Sequence, residues 1–168
     1  MELLIRRGGP EDTKTFLDLV EAVREGMDHK EWFYLDSPED VTDWMNSGKM
    51  KLWLAEDGDK TAAVFTTTTP GRDPSNYGYD LDFSEDMLDM VVNMDTAAVN
   101  PEYRGHGLQN RMLLLAEEEA AKDGPKILLC TVHPDNQYSL NNVIKHGYQI
   151  QHRTEKYGSV RYILRKDV

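Results

Sequence analysis

The segment Val99-Asn100-Pro101-Glu102-Tyr103-Arg104-Gly105-His106-Gly107-Leu108-Gln109-Asn110-Arg111 constrains this chain more than any other. It joins Met90 to Val99, which reads as a strand, to a strong helix pattern from about Leu108 to Asp123. The first N–H groups of a helix lack internal partners and lie at the positive end of its dipole. Glycines just ahead of that end let the main chain curl closely around an anion, because no Cβ intrudes. Arg104 adds a full positive charge. Such a turn suits a pyrophosphate. Two nucleotide signatures fail. The pair Gly48-Lys49 has Asp43 where a P-loop needs Gly and Met50 where it needs a hydroxyl. Gly105-x-Gly107 is followed by Asn110 where a dinucleotide fingerprint needs a third Gly.

The elements around this turn follow from periodicity and punctuation. Leu3 to Arg6 reads as a strand, and Pro10 opens a helix whose Phe16, Val20, Val23 and Met27 share a face. Ser37 can cap a second helix, with Pro38 at its first position and Gly48 at its end. Lys51 to Ala55 and Thr61 to Thr69 read as a hairpin around Asp57-Gly58-Asp59. Pro70 to Asp86 reads as a long loop or short helix. In the Leu108 helix, Leu108, Met112, Leu115 and Ala116 form the expected buried stripe, with Glu117, Glu118, Glu119 and Lys122 outside it. Gly124-Pro125 stops that helix. Ile127 to Val132 reads as an interior strand. Asn136 to His146 is a helix with Leu140, Val143 and Ile144 on one side. Tyr148 to His152 and Ser159 to Leu164 are two last strands. Helices and strands alternate only in the second half. This predicts an α/β (α+β) chain with a mixed sheet and helices on both faces.

Arg104, Gly105, His106, Gly107 and Leu108, after a strand and a Val-x-Pro turn, resemble the acetyl-CoA signature of the GNAT superfamily of acetyltransferases. Gln109 stands where that pattern usually has Gly or Ala. Downstream, Asn136, Ser139, Lys145, Gly147 and Tyr148 are similar to the family's second pattern. The element order from Leu3 to Leu164 also fits. The resemblance implies one GNAT domain over residues 1–168, with a mostly antiparallel central sheet of about six or seven strands. It implies acetyl-CoA as co-substrate, bound where the two central strands, Met90 to Val99 and Ile127 to Val132, splay apart. Main-chain groups of Ala97, Ala98 and Val99 would pair with the pantetheine arm. Residues Arg104 to Gln109 would hold the pyrophosphate, and Asn136 with Ser139 would contact the arm. An acceptor amine would then attack the thioester directly. A homodimer fits the family.

The amine must be neutral to attack. A free alkylamine of pKa ~10.4 is neutral in only about one molecule in 2,500 at pH 7. A base is therefore useful. Strand alternation places Asn93, Asp95, Ala97 and Val99 on one face, which makes Asp95 the first base candidate. Its alternative role is hydrogen bonding to neighbouring backbone. His133 is the second candidate, with a turn role as its alternative. Val143 occupies the position where the family often has a tyrosine that protonates the thiolate. Trp32-Phe33-Tyr34 with Asp36, and Tyr77, Tyr79, Asp80 and Asp82, supply aromatic and acidic groups for a cationic amine, or simply a solvated face.

The net charge of −11 fits a cationic acceptor and disfavours nucleic acid. No run of apolar residues is long enough to span a membrane. One cysteine, Cys130, excludes an internal disulfide and makes a cytoplasmic location the default. The five histidines show no metal-ligand spacing, so no metal is expected. Two functional classes stay open: an N-acetyltransferase acting on a primary amine, and a non-catalytic acyl-CoA-binding module.

Overall fold

The computed structural model describes residues 1–168. Its strands are β1 (Leu4–Arg7), β2 (Met50–Asp57), β3 (Lys60–Thr68), β4 (Val91–Val99), β5 (Ile127–Val132), β6 (Gln149–Lys156) and β7 (Ser159–Asp167). Its helices are α1 (Thr13–Glu25), α2 (Pro38–Ser47), α3 (Glu85–Leu88), α4 (Leu108–Ala121) and α5 (Gln137–Lys145). The strands form one sheet in the order β1-β2-β3-β4-β5-β7-β6. The pairs β1/β2, β2/β3, β5/β7 and β6/β7 are antiparallel, and β4/β5 is parallel. This is the mixed sheet that the element order predicts, mostly antiparallel as the resemblance implies.

The chain divides into two compact units, and β4 and α4 each contribute residues to both. The first holds Met1–Thr68 and Asp95–Glu119. Its core joins Phe16, Val20 and Val23 of α1, Val41 and Met45 of α2, Leu52 and Leu54 of β2, Val64 of β3 and Ala98 of β4. Each large apolar side chain buried in this way is worth about 1.5–3 kcal/mol. The start of α1 is fixed by a charged clamp. Arg6 donates to both carboxylate oxygens of Asp12, at 2.8 and 3.0 Å, and also pairs with Glu56. The Gly9 amide donates to Asp12 at 2.9 Å. The Arg6 hydrogen bond holds the buried Asp12 carboxyl below its usual range. Ser37 caps α2 by accepting from the Asp40 amide at 3.1 Å, and Gly48 ends it at φ 77°.

The second unit holds Thr69–Met94 and Ala120–Val168. Tyr77, Val91, Ile127, Leu129 and Ile163 form a core cluster here. The segment from Pro70 to Asp86 is ordered by one side chain. Asn76, with no exposed surface, donates to the carbonyls of Gly71 (2.7 Å) and Leu88 (3.1 Å) and accepts from the Gly78 amide (2.8 Å). A 3₁₀ turn over Tyr77–Leu81 and the short α3 result. At the β6–β7 hairpin tip, Lys156 pairs with Asp80 at 2.9 Å, and the Tyr157 hydroxyl donates to that of Tyr77 at 3.1 Å.

Burial corrects two details of the sequence reading. In α4, Leu113 is buried and Leu115 is 38% exposed, while Glu117 is buried at 7%. Met112 to Leu115 is an unbroken apolar run, so it offers apolar residues to every side of a helix and periodicity cannot choose between them. In α5, Leu140 is buried but Ile144 is 45% exposed.

Replacing Asn76 by Ala strips three main-chain groups of their buried partner. Asn76→Ala is expected to destabilise the chain by about 3 kcal/mol in urea denaturation. A change below about 0.5 kcal/mol, the level of an ordinary surface substitution, would contradict this role.

Candidate functional site

The turn between β4 and α4 is held from outside itself. The Asn100 amide donates to the Ala62 carbonyl at 2.8 Å, fixing the end of β4 against β3. The Asn100 side chain accepts from the Glu102 amide at 3.1 Å and caps a 3₁₀ turn over Pro101–Tyr103. Tyr103 is buried, and its hydroxyl donates to Asp57 at 2.8 Å, at the β2–β3 hairpin. That bond, with some burial, raises the Tyr103 pKa. Sequence reasoning missed Tyr103 and Asp57. Their partnership spans the hairpin and leaves no local pattern.

Beyond this anchor the chain changes hand. Arg104 is extended, and Gly105 and Gly107 take φ of +86° and +67°. L side chains rarely adopt these angles, and a Cβ built on either glycine meets nothing within 4 Å. Conformation, not crowding by the chain, demands glycine here. The first helical bond of α4 runs from the Arg111 amide to the Gly107 carbonyl at 3.0 Å. The amides of Leu108, Gln109 and Asn110 therefore precede the helical ladder. The buried Leu108 side chain seats the helix start, while Arg104, Gly105, His106 and Gly107 are exposed. Positive φ on two glycines, unladdered amides and an exposed Arg make a cradle fit for a phosphate ester.

A cavity of about 380 Å³ lies in the same unit. Phe16, Leu17 and Val20 of α1 supply apolar walls, and Asp36 and Thr96 are among its polar lining. Burial pushes the Asp36 carboxyl up to about 7, with the charges of Asp95 and then Asp40 adding to the effect. Asp95 accepts from the Thr68 hydroxyl at 3.3 Å. The Thr96 amide donates to the Thr66 hydroxyl at 3.2 Å. Thr96 thus lines the cavity, and the neighbouring Asp95 acts on Asp36 by its charge. Sequence alone grouped Asp36 with acidic acceptor-side residues but gave no sign that the charge of Asp95 reaches it.

The first unit therefore holds Asp95, Ala97, Ala98, Val99 and Arg104 to Gln109, with Ala98 in the core. The second unit holds His133, Asn136 and Ser139. His133 Nδ1 accepts from the Asp135 amide at 3.0 Å, and the His133 carbonyl accepts from the Asn136 amide. The ring thus braces the turn before α5. Asn136 caps α5 by accepting from the Ser139 amide at 3.4 Å. No group of three or more His, Cys, Asp or Glu is placed to hold a metal ion, and no helix is long and apolar enough to cross a membrane.

Residues 18–148 match the family model described as the Acetyltransferase (GNAT) family. No curated protein sequence matches the chain. Among solved structures, an acetyltransferase of the GNAT family from Streptococcus pneumoniae is similar, with TM-score 0.75 and 21% identity over 99% of this chain and 100% of that one. NAA60 of Arabidopsis thaliana, solved in complex with acetyl-CoA, has TM-score 0.70 and 12% identity over 99% of both chains. PaiA N-acetyltransferase of Thermoplasma acidophilum, solved with coenzyme A, has TM-score 0.63 and 18% identity over the full length of both. At these identities the likeness is one of fold.

A carboxyl that titrates near 7 in the folded chain, against an ordinary 3.8, binds its proton more tightly when folded. Asp36 therefore subtracts stability progressively as pH rises from about 4 to about 7. Asp36→Asn removes that penalty. The upper bound is about 4 kcal/mol, and partial exposure reduces the expected gain to about 2 kcal/mol at pH 8. Thermal melts of the two proteins should diverge as pH rises. Parallel curves from pH 4 to 8 would mean that Asp36 is ionised normally.

Proposed function

The chain belongs to the acetyltransferase (GNAT) family, and on that premise we propose that it transfers the acetyl group of acetyl-CoA to a primary amine by direct attack within a ternary complex. The β4–α4 turn is the observation that carries this reading. Gly105 and Gly107 sit at positive φ, and the amides that follow belong to no ladder. In this reading the amides of Gly105 to Gln109 hold the pyrophosphate, and Arg104 supplies the countercharge. Gln109, where the family pattern has a small residue, still offers its N–H. His106 contributes its amide in the same way.

The parallel register of β4 with β5 runs from Val91↔Ile127 to Asn93↔Leu129, while β4 itself continues to Val99. This supports assigning the main chain of Ala97, Ala98 and Val99 to the amides of the pantetheine arm, as an added strand would pair. Asn136 spends its carbonyl oxygen on the α5 cap, so its NH₂ end is the part assigned to the arm, with Ser139 beside it. NAA60 and PaiA were solved with acetyl-CoA and coenzyme A, which supports the same co-substrate here. The net charge of −11 favours a cationic acceptor. We take residues 1–168 as one catalytic domain.

Asp95 is retained as a carboxylate of the acceptor site, where its charge acts on Asp36, and of the two residues singled out in the sequence it is the first candidate for base, directly or through water. His133 is the weaker candidate, because its Nδ1 is already committed to the Asp135 amide. Val143 cannot protonate the thiolate. A thiolate leaves with less help than an alkoxide, because its conjugate acid is stronger.

Release of free thiol from acetyl-CoA across a panel of amines tests the transfer. Tight binding without release on any amine would instead identify a non-catalytic acyl-CoA-binding module. Gly107→Glu puts bulk and negative charge into the cradle and is expected to weaken acetyl-CoA binding by about 100-fold or more, as loss of two charge-assisted bonds would. Calorimetric titration measures this, and circular dichroism checks that the fold persists. Unchanged affinity would remove the turn from the site.

A further inference from the structure

The cavity beside α1 has no role in cofactor binding as assigned above. Its walls are apolar on the Phe16, Leu17 and Val20 side, and Asp36 and Thr96 lie in the same lining. Thr96 precedes Ala97, so the cavity and the proposed pantetheine edge share one strand. We propose that this cavity is the acceptor site for a primary amine carried on an apolar chain, and that Asp36 is the base that receives the amine's proton. The inference rests on the acetyl-transfer reading and adds to it the acceptor class and a catalytic residue.

The surroundings of Asp36 suit that task. Asp95 from β4 and Asp40 from α2 act on it with like charge, which adds to the effect of burial. Tyr34, on its own segment, feels the Asp36 and Asp40 charges in turn. From α1, Glu21, Arg24 and Glu25 also line the cavity. Arg24 directs its Nε to the Phe33 carbonyl at 3.0 Å. An incoming ammonium would offset those like charges. In the empty site the carboxyl, pushed up from 3.8 to about 7, is a better proton acceptor than an ordinary aspartate by about 1,000-fold, one factor of ten per unit. That margin favours Asp36 over a solvated carboxylate as base.

The ammonium gives one proton to the Asp36 carboxylate. The nitrogen lone pair forms a C–N bond at the thioester carbonyl. The C–S bond breaks with its electron pair leaving on sulfur, and the second nitrogen proton ends on the thiolate. Asp36 returns its proton to solvent.

Steady-state thiol release by the full chain, with acetyl-CoA and a series from propylamine to hexylamine, tests both parts. KM is expected to fall about fourfold with each added methylene. For the parent, kcat/KM should rise with pH through about 7. Asp36→Asn is expected to lose that rise and to lower kcat by about 100-fold or more, with acetyl-CoA affinity unchanged. Asp36→Glu should recover part of the rate with a displaced pH profile. Leu17→Trp narrows the cavity and should raise KM for hexylamine more than for propylamine. It keeps the inference testable should Asp36→Asn fail to fold. A rate and profile in Asp36→Asn equal to the parent's overturns Asp36 as base while transfer stands. KM independent of chain length overturns the cavity as acceptor site. Acetyl-CoA bound by the parent with no thiol released on any amine overturns the transfer reading and this inference together.

Discussion

Main-chain amides at a helix start can serve an anion only if the turn ahead of them is held away from the helix, and this chain secures that turn from a distance. Tyr103 reaches Asp57 on the hairpin, and Asn100 reaches Ala62 on β3. Between that anchor and the seated Leu108, the chain has few freedoms left, and it spends them on two glycines at positive φ. The arrangement separates two jobs. Rigid elements fix where the turn begins and ends, and the residues without side chains fix which way its amides point. Neither job tolerates the other's residue type. A side chain at Gly107 would strain the turn, and a glycine at 103 would release it.

The placement of Asp36 shows a different economy. A partly buried carboxylate that feels the charge of two others is a destabilising feature by itself. It persists because the core of the same unit, with Phe16, Val20, Val41 and Leu54, buries enough apolar surface to outweigh a penalty of a few kcal/mol. Such local costs, kept in place by a well-packed core, are characteristic of sites with a chemical task. Asp12 makes the contrast clear. It is also buried and acidic, yet Arg6 and the Gly9 amide satisfy it fully, and its pKa falls. It ties β1 to the start of α1.

The sequence reveals what is local. The Ser37 cap, the Gly48 stop and the glycine turn before α4 each follow from the residue type at one position, and each stands where that rule puts it. The strand count and the mixed sheet followed from element order. What depends on distant partners was not legible. Asp36 and Asp95 are far apart in the chain, and nothing near either residue signals the other. Asn76 looked like one more polar residue in a loop, although three hydrogen bonds make it that loop's centre. The buried side of α4 was misread because four successive apolar residues carry no phase. The length of β6 was underestimated because a strand with almost no buried residue has no alternation to read, and only its pairing with β7 defines it.

In the proposed reaction the acceptor arrives charged and departs neutral, and the acidic site discriminates between the two. At about 4 Å and an effective dielectric near 20, an ammonium and a carboxylate attract by about 4 kcal/mol before desolvation is counted. The amide product lacks that term and keeps only the contact of its chain with the α1 wall. Asp36, Asp95 and Asp40 would thus draw the substrate in and release the product by the same charge. The apolar wall adds affinity to both states equally and so sets selectivity for the carrier without favouring turnover. An uncharged residue in place of Asp36 would remove the base and weaken this asymmetry at once. The carboxylate's position in the cavity therefore matters as much as its pKa.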